Sequence, residues 1–213
     1  IIIGGFVTEG QPNKNNIVFL PRHGNSHNIP PHKINYRANI WAVKKIGAKK
    51  IISINAVGGI TKLMKPNSIV VPDQIIDYTH NRENTFYEEE VKHIDFTTPY
   101  SETLRSQLIE TARKINLKIH KKGVYGITQG PRLETAAEIL KLEKDGCNIV
   151  GMTGMPEASL AKELCIDYAC YCLVVNWAAG KCFSTITMDI IEKNLEKGLK
   201  NIKELIFEIV NPS

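Results

Sequence analysis

The chain lacks the features that mark membrane proteins, metal proteins and proteins of oxidising compartments. No apolar run in its 213 residues approaches the length needed to cross a bilayer, and nothing resembles a cleavable signal peptide. Its five cysteines are odd in number and show no spacing typical of a metal site. We therefore expect no bound metal and no membrane association, in a reduced, cytoplasmic protein.

Arginine is also scarce, because only six of the 27 basic residues are arginines. The net charge of +5 therefore comes from lysines, which alternate with glutamates on apparent helix surfaces. This pattern is typical of a solvated face and disfavours a nucleic-acid partner. Three signature loops are missing as well: the GKS/T phosphate loop, the Gly-x-Ser-x-Gly elbow and the dinucleotide Gly-x-Gly-x-x-Gly turn.

Apolar, strand-like runs alternate with amphipathic helix patterns along the chain. This alternation predicts an α/β fold of three layers, with a mixed and largely parallel central sheet flanked by helices, in a single domain over residues 1–213. Polar motifs come directly after the predicted strands, and the carboxyl ends of parallel strands share one edge of a sheet. We therefore expect these motifs to converge on one rim: Gly4-Gly5, Arg22-His23, Asn55-Ala56, 129–134, Met152-Thr153 and Asn176.

The run 51–60 has the strongest pattern of a strand that ends at a ligand. It is apolar and β-branched until it reaches Asn-Ala-Val-Gly-Gly, which predicts a buried parallel strand opening into a crevice. Gly58 and Gly59 would let the backbone approach a ligand closely. An ordinary core strand followed by a turn is the alternative.

The rim offers an arginine, hydroxyl groups, neutral amides, and backbone amides near glycines and helix starts. This set suits an oxyanion bound beside a polar, uncharged heterocycle.

The polar motifs and their neighbours form an ordered set along nearly the whole chain: Gly4-Gly5, Arg22-His23-Gly24, the 35–42 run NYRANIWA, the 55–59 run NAVGG, Gly130-Pro131-Arg132, the 152–157 run MTGMPE, and Asn176. Together they resemble the trimeric purine nucleoside phosphorylase and methylthioadenosine phosphorylase family.

The resemblance implies phosphorolysis, in which phosphate attacks C1′ of a purine nucleoside and releases the purine and a pentose 1-phosphate. It implies a homotrimer of the nucleoside phosphorylase fold, whose partners are a small-molecule nucleoside and phosphate. No cofactor is implied, because phosphate is a co-substrate. Such a site must hold phosphate beneath C1′ and stabilise the negative charge that builds up on the departing purine.

Matching motif positions assign phosphate binding to Arg22, helped by His23, the Ala56 backbone and the Thr153 hydroxyl. His27 lies on the same loop as His23. Three alternatives stay open: a surface ion pair for Arg22, an N-cap role for Thr153, and a merely polar or orienting role for the histidines.

The same matching places Asn55, Ala56 and Val57 at the substrate, with Asn55 and Ala56 forming a floor between phosphate and purine. Met152 should lie against the sugar, although filling a gap in the core is an alternative. Leu133 occupies the position where the family has an aromatic beside the base, so it keeps apolar contact but loses ring stacking.

Asn176 indicates which purine is read. In the family this position carries Asp for 6-aminopurines and Asn for 6-oxopurines, because an Asn amide can donate to O6 whereas a carboxylate cannot. Glu134 agrees, since it matches the glutamate that 6-oxopurine members use toward N1–H. A turn residue at a strand end is the alternative for Asn176.

The 5′ side of the sugar points to a methylthio group. Met188 and Ile191 offer apolar contacts there, and His93 could close the site of a neighbouring subunit. The implied substrate is S-methyl-5′-thioinosine. The alternatives are inosine or guanosine, methylthioadenosine, and a non-catalytic nucleoside-binding protein.

One departure from the family affects the phosphate side. Phe6-Val7-Thr8 follows the Gly-Gly turn where the family has a phosphate-binding Ser or Thr, and the connection to Arg22 is short. We expect a loop after Gly5 and the true N-terminus to lie outside this sequence.

Overall fold

A computed structural model describes residues 2–4, 17–182 and 187–211, without the side chains of residues 2–4 and Met188. The strands are β1 Ile2–Gly4, β2 Phe19–Pro21, β3 Lys50–Gly59, β4 Ile69–Val70, β5 Gln74–Asp77, β6 Val124–Ile127, β7 Ile149–Gly151 and β8 Asp167–Trp177. The helices are α1 Tyr36–Lys45, α2 Glu102–Lys114, α3 Ala136–Lys144, α4 Glu157–Glu163 and α5 Met188–Val210, with a 3-10 turn over Pro31–Lys33.

Strand β3 is the centre of an eight-stranded sheet. It runs parallel to β8 along its whole length, and its other edge pairs first with β1 and then, antiparallel, with β7. Strands β6 and β5 extend the sheet beyond β7 in parallel register, and β4 pairs antiparallel with β8. The sheet is therefore mixed and largely parallel, as the sequence predicts.

Helices cover both faces of the β3–β8 pair. Apolar residues of α1 and α4 pack on one face, and apolar residues of α2 and α5 pack on the other. A third cluster packs α3 against β7 and the segment after β3. The predicted three-layer α/β architecture is confirmed, and its strand ends deliver the loops that form the site.

Local sequence signals account for where several helices begin. Helix α3 starts with the capping box formed by Thr135 and Glu138, in which each side chain bonds the backbone N–H of the other residue. Helix α2 begins after Ser101, whose hydroxyl accepts the N–H of Leu104. Helix α4 begins at Glu157, and Pro156 before it provides no side-chain cap.

The two glycines that end β3 have different neighbours from those expected. A Cβ on Gly59 would lie 1.8 Å from the Met64 carbonyl oxygen, so this glycine admits another stretch of backbone and not a ligand. A Cβ on Gly58 would lie 3.2 Å from Val150 and close to Ala178. The expectation that both glycines clear space for a ligand is wrong for Gly59.

The connection between β5 and α2 has no regular secondary structure over residues 78–101. Hydrogen bonds nevertheless attach it to the end of helix α4. The Glu163 carboxylate accepts hydrogen bonds from the Thr85 hydroxyl at 2.6 Å and from the Phe86 N–H at 2.8 Å. None of the helices within residues 17–182 and 187–211 is long and apolar enough to cross a bilayer.

Candidate functional site

A cavity of about 560 Å³ opens at the carboxyl ends of β3, β7 and β8. This volume is in the range of small-molecule sites. The structure brings eleven of the predicted residues to its walls: Arg22, His23, Asn55, Ala56, Val57, Leu133, Glu134, Met152, Thr153, Asn176 and Ile191. His27 also lines it. The predicted convergence of the polar motifs on one rim is therefore seen for every motif whose side chains the structure describes.

Two predicted residues are not among these walls. His93 lines a separate, open cavity of about 600 Å³ beside the 84–96 segment, so it does not reach the first cavity within its own chain. The side chain of Met188 lies outside the described residues, as do Gly5 and the loop after it.

Arg22 is buried in an ion pair with Glu157. Nε of Arg22 donates to one carboxylate oxygen of Glu157 at 2.7 Å, and Nη2 donates to the other at 3.0 Å. Nη2 also donates to the Ser53 hydroxyl at 2.6 Å, and Nη1 donates to the Ile54 carbonyl at 3.0 Å. Arg22 is 3% exposed and Glu157 is 0% exposed. The ion pair that was an alternative for Arg22 is thus present, but in the interior and not at the surface.

Glu157 is the hub of a buried polar network behind the cavity. Besides Arg22, it accepts the Tyr168 hydroxyl at 2.9 Å and lies 3.1 Å from the Ser53 hydroxyl. Burial alone would lower the pKa of Arg22, but the adjacent Glu157 carboxylate outweighs burial and holds this pKa above its ordinary value. The guanidinium is therefore permanently charged, locally neutralised, and fixed in its plane.

Thr153 and Asn55 extend this network toward β7. The Thr153 hydroxyl donates to the amide oxygen of Asn55 at 2.9 Å. The amide nitrogen of Asn55 donates to the Ser53 hydroxyl at 3.2 Å and to the Cys170 sulfur at 3.3 Å. The polar end of Asn55 is thus turned into the buried network, where it orients Thr153 at the cavity wall.

His23 lies beside Arg22 with one ring nitrogen engaged. Its Nδ1–H donates to the Ile29 carbonyl at 2.8 Å, so the neutral ring carries its lone pair on Nε2. The ring of His27 lies 4.7 Å from it, centroid to centroid. Burial lowers the pKa of His23, and the nearby charges of Arg22 and His27 lower it further, although the bond to Ile29 opposes the shift.

Asn176 has a fixed amide orientation. Its Nδ2 donates to the backbone carbonyl of Trp177 at 2.7 Å, and the residue is 9% exposed. The pairing of β3 with β8 shifts register here, since Val57 lies opposite Val174 but Gly58 lies opposite Asn176. Such a β-bulge re-aims a side chain at the end of a strand. Asn176 lines the cavity, and among the described residues its amide oxygen and its second N–H make no other hydrogen bond.

The 128–134 loop forms another wall. The Thr128 hydroxyl donates to the Glu134 carboxylate at 2.5 Å, which holds this half-buried acid in place. Gly130 has a φ of +63°, and a Cβ there would lie 2.5 Å from the Met152 sulfur. Leu133 is 46% exposed, so its apolar side chain sits at the mouth of the cavity.

Helix α5 closes the remaining side. Ile191, which the sequence assigns to the 5′ side, lines the cavity together with Leu195. Two acidic residues of the same helix, Glu192 and Glu196, also line it, and they were not part of the prediction. Within residues 2–4, 17–182 and 187–211, no three His, Cys, Asp or Glu side chains come close enough to hold a metal ion.

The prediction from sequence missed the network that supports the site. Glu157 follows a proline at the start of a helix, where the helix dipole is sufficient to explain an acidic residue. Its partner Arg22 lies 135 positions earlier in the chain, and no local pattern links the two. A buried arginine does require a carboxylate, so the signal that could have found Glu157 was the need of Arg22 for a counter-charge.

Comparisons with known proteins find relatives that are named as nucleoside phosphorylases. Over 200 residues, the chain is 52% identical to a protein of Pseudomonas syringae pv. tomato named "Probable S-methyl-5'-thioinosine phosphorylase", covering 92% of this chain and 81% of that protein. It is 44% identical to a "6-oxopurine nucleoside phosphorylase" of Pyrococcus furiosus, covering 96% of this chain and 80% of that protein.

Solved structures show the same fold. A methylthioadenosine phosphorylase from Schistosoma mansoni in complex with adenine superposes with a TM-score of 0.91 at 29% identity, covering 99% of this chain and 90% of that chain. A family model described as "Phosphorylase superfamily" matches residues 4–211. The chain therefore belongs to the phosphorylase superfamily.

Proposed function

We propose that the protein catalyses phosphorolysis of a 6-oxopurine nucleoside, with S-methyl-5′-thioinosine as its main substrate and hypoxanthine and 5-methylthioribose 1-phosphate as products. The observation that carries the choice of base is the amide of Asn176, held by the Trp177 carbonyl at the cavity wall. Two named relatives at 52% and 44% identity support a 6-oxopurine nucleoside as the substrate.

The base is read by one amide and one acid. Because one N–H of Asn176 is bound to the Trp177 carbonyl, the other can donate to O6 of the purine. The amide oxygen can then accept N7–H once the departing purine has taken up the proton of hydrogen phosphate. Glu134, held by Thr128, would accept N1–H. As the glycosidic bond breaks, negative charge spreads over the purine toward O6, and the Asn176 N–H stabilises it there.

The phosphate side is built around Arg22, His23, the Ala56 backbone and the Thr153 hydroxyl. Glu157 neutralises the charge of Arg22, so a phosphate dianion would need further positive charge nearby. His23 is the titratable neighbour that could supply it by taking up a proton. The dianion would raise the pKa that burial, Arg22 and His27 hold low in the ligand-free protein.

The reaction itself needs no cofactor. A phosphate oxygen forms the new bond to C1′ while the bond from C1′ to N9 breaks, and its electron pair leaves with the purine. The proton of hydrogen phosphate ends on the purine, so atoms and charges balance. Positioning and charge stabilisation are therefore the protein's contributions, with Met152 against the sugar and Ile191 toward the 5′ substituent.

The direct test is purine release from S-methyl-5′-thioinosine, inosine and methylthioadenosine, each with and without phosphate. We expect hypoxanthine release that depends on phosphate and is fastest with the methylthio substrate. Release without phosphate would contradict phosphorolysis. A preference for methylthioadenosine would contradict the proposed reading of the base.

Replacing Asn176 tests that reading. In Asn176→Asp, a carboxylate oxygen would face the Trp177 carbonyl, and the donor to O6 would be lost. We expect kcat/KM for S-methyl-5′-thioinosine to fall roughly 10- to 100-fold, the scale of an unmade buried hydrogen bond of about 1–3 kcal/mol. The measurement is steady-state phosphorolysis of the oxo- and aminopurine substrates in parallel.

Asn194→Asp is the matched control, because the amide of Asn194 donates to the Val175 carbonyl at 2.8 Å without itself lining the cavity. It should cost stability but leave the preference for oxopurine over aminopurine unchanged. Equal loss of preference in both variants, or in neither, would mean that Asn176 does not read the base.

The role of His23 can be tested by titration. We expect NMR to give a pKa for His23 below its ordinary value of 6.5 in the ligand-free protein, and a higher pKa with saturating phosphate. Phosphate binding would then take up a proton, so affinity for the dianion should fall as pH rises through the pKa of the complex. The resonance of His120, which pairs with β4, serves as the control. If the pKa of His23 does not change when phosphate is added, His23 does not contribute to the phosphate site.

We also propose that three chains assemble and that His93 reaches a neighbouring chain's site. In support, Val91 lies two residues before His93 and is 87% exposed, so this segment has an apolar side chain available for contact with another chain. Light scattering after gel filtration should give roughly three times the chain mass of 23.9 kDa. A monomer with full activity would exclude this role for His93.

A further inference from the structure

Arg82 makes an unusual set of contacts in the irregular segment between β5 and α2. Its five guanidinium N–H groups lie within hydrogen-bond distance of six acceptors, four of them backbone carbonyls, so one N–H of Nη1 is shared between two acceptors. The residue is half-buried, and within the described part of the chain no carboxylate forms an ion pair with it. Burial lowers its pKa, as expected for a cation that is bound by dipoles and not by an anion.

The carbonyls belong to two loops that form the cavity. Nη2 of Arg82 donates to the Gln129 carbonyl at 2.8 Å and to the Thr128 carbonyl at 3.4 Å, at the start of the loop that carries Leu133 and Glu134. Nε donates to the Gln129 side chain at 3.1 Å. Nη1 donates to the carbonyls of Met152 at 2.9 Å and Met155 at 2.6 Å, on either side of Thr153. One guanidinium thus spans both loops.

Backbone pairing does not hold these loops together. The ladder between β6 and β7 ends with the bond from the Thr128 N–H to the Gly151 carbonyl at 2.8 Å. Past that bond, no backbone hydrogen bond joins residues 129–134 to residues 152–156 among those described. The loops are nevertheless in contact, because the Met152 side chain packs against Gly130, where a Cβ would lie only 2.5 Å from the Met152 sulfur. Arg82 therefore bridges the two loops beyond the end of the sheet.

Arg82 reaches a third loop through Tyr36. The Tyr36 hydroxyl oxygen lies 3.2 Å from Nη1 and shares one of its two N–H groups, and this hydroxyl donates in turn to the Pro31 carbonyl at 2.9 Å. Pro31 lines the cavity together with Arg22 and His23. The side near the base, the side near the sugar and phosphate, and the histidine loop are thus all connected to one side chain that does not itself line the cavity.

We propose that Arg82 is a positioning residue for phosphorolysis, which sets the distance between the loop that reads the base and the loop that holds sugar and phosphate. The inference rests on the proposed function. Only a planar fork of N–H donors can reach carbonyls on both loops at once, whereas a lysine is a single point charge. A displacement of about 1 Å at a reacting centre can cost roughly 100-fold in rate, so this spacing bears directly on turnover.

Arg82→Met and Arg82→Lys test the proposal at a temperature at which circular dichroism shows the variants folded. We expect both to lower kcat about 100-fold at saturating phosphate and nucleoside, because misplaced loops fail at the chemical step even when substrates are bound. Added guanidinium at tens of millimolar should raise the kcat of Arg82→Ala at least tenfold. Folded Arg82 variants that keep kcat within threefold of wild type would overturn the proposal.

Arg105→Met is the matched control for loss of an arginine that binds carbonyls. Arg105 is buried and donates to the carbonyls of Pro72 at 2.8 Å and Lys121 at 2.6 Å, away from the cavity. The Arg105→Met substitution should lower thermal stability but leave kcat unchanged, and added guanidinium should not alter its kcat. An equal fall of kcat in both arginine variants would mean that Arg82 acts through stability alone, and would overturn the proposal.

Two further measurements decide the remaining cases. If Arg82→Met does not fold, Tyr36→Phe removes one contact and should lower kcat three- to tenfold, and an unchanged kcat would overturn the inference. Hydrogen exchange of residues 128–134 and 152–155 does not require activity, and it should quicken in any folded Arg82 variant more than in Arg105→Met. Unchanged exchange there refutes the inference, whereas a wild-type protein without phosphate-dependent cleavage refutes the proposed function instead.

Discussion

The buried pair of Arg22 and Glu157 is the interaction on which the rest of the site depends. Neither charge could remain in the interior alone, because removing one partner of a buried pair typically costs about 3–5 kcal/mol. The pair joins the loop after β2 to the start of α4, and its hydrogen bonds reach Ser53 and Ile54 on the central strand. Three separate parts of the chain are therefore held at one point behind the cavity.

The same principle recurs around the cavity. Three polar side chains of the cavity wall are each held by a second group: Thr153 by Asn55, Glu134 by Thr128, and Asn176 by the Trp177 carbonyl. Groups held in this way need little reorganisation when charge develops on a substrate. The price is a polar network in the interior, which is stable only because its members satisfy one another.

The comparisons separate fold from base specificity. The structure superposes closely on a methylthioadenosine phosphorylase solved with adenine, yet the relatives with higher sequence identity are named for thioinosine and 6-oxopurine nucleosides. A shared backbone is compatible with either base, because the choice depends on the donors and acceptors at a few positions. In this chain the Asn176 amide, which donates to its neighbour's carbonyl, is the group that we propose reads the base.

The sequence by itself determined the alternation of strands and helices, the three-layer α/β class, and the convergence of the polar motifs on one rim. These follow from periodicity and from the rule that parallel strands share a carboxyl edge, and both are local or topological. Only the tertiary structure decided the partners. Arg22 could not be matched to Glu157, Gly59 could not be matched to the Met64 carbonyl, and the contacts of Arg82 with two loops could not be foreseen. The physical reason is that contacts between distant residues depend on packing distances and directions, which short patterns do not encode.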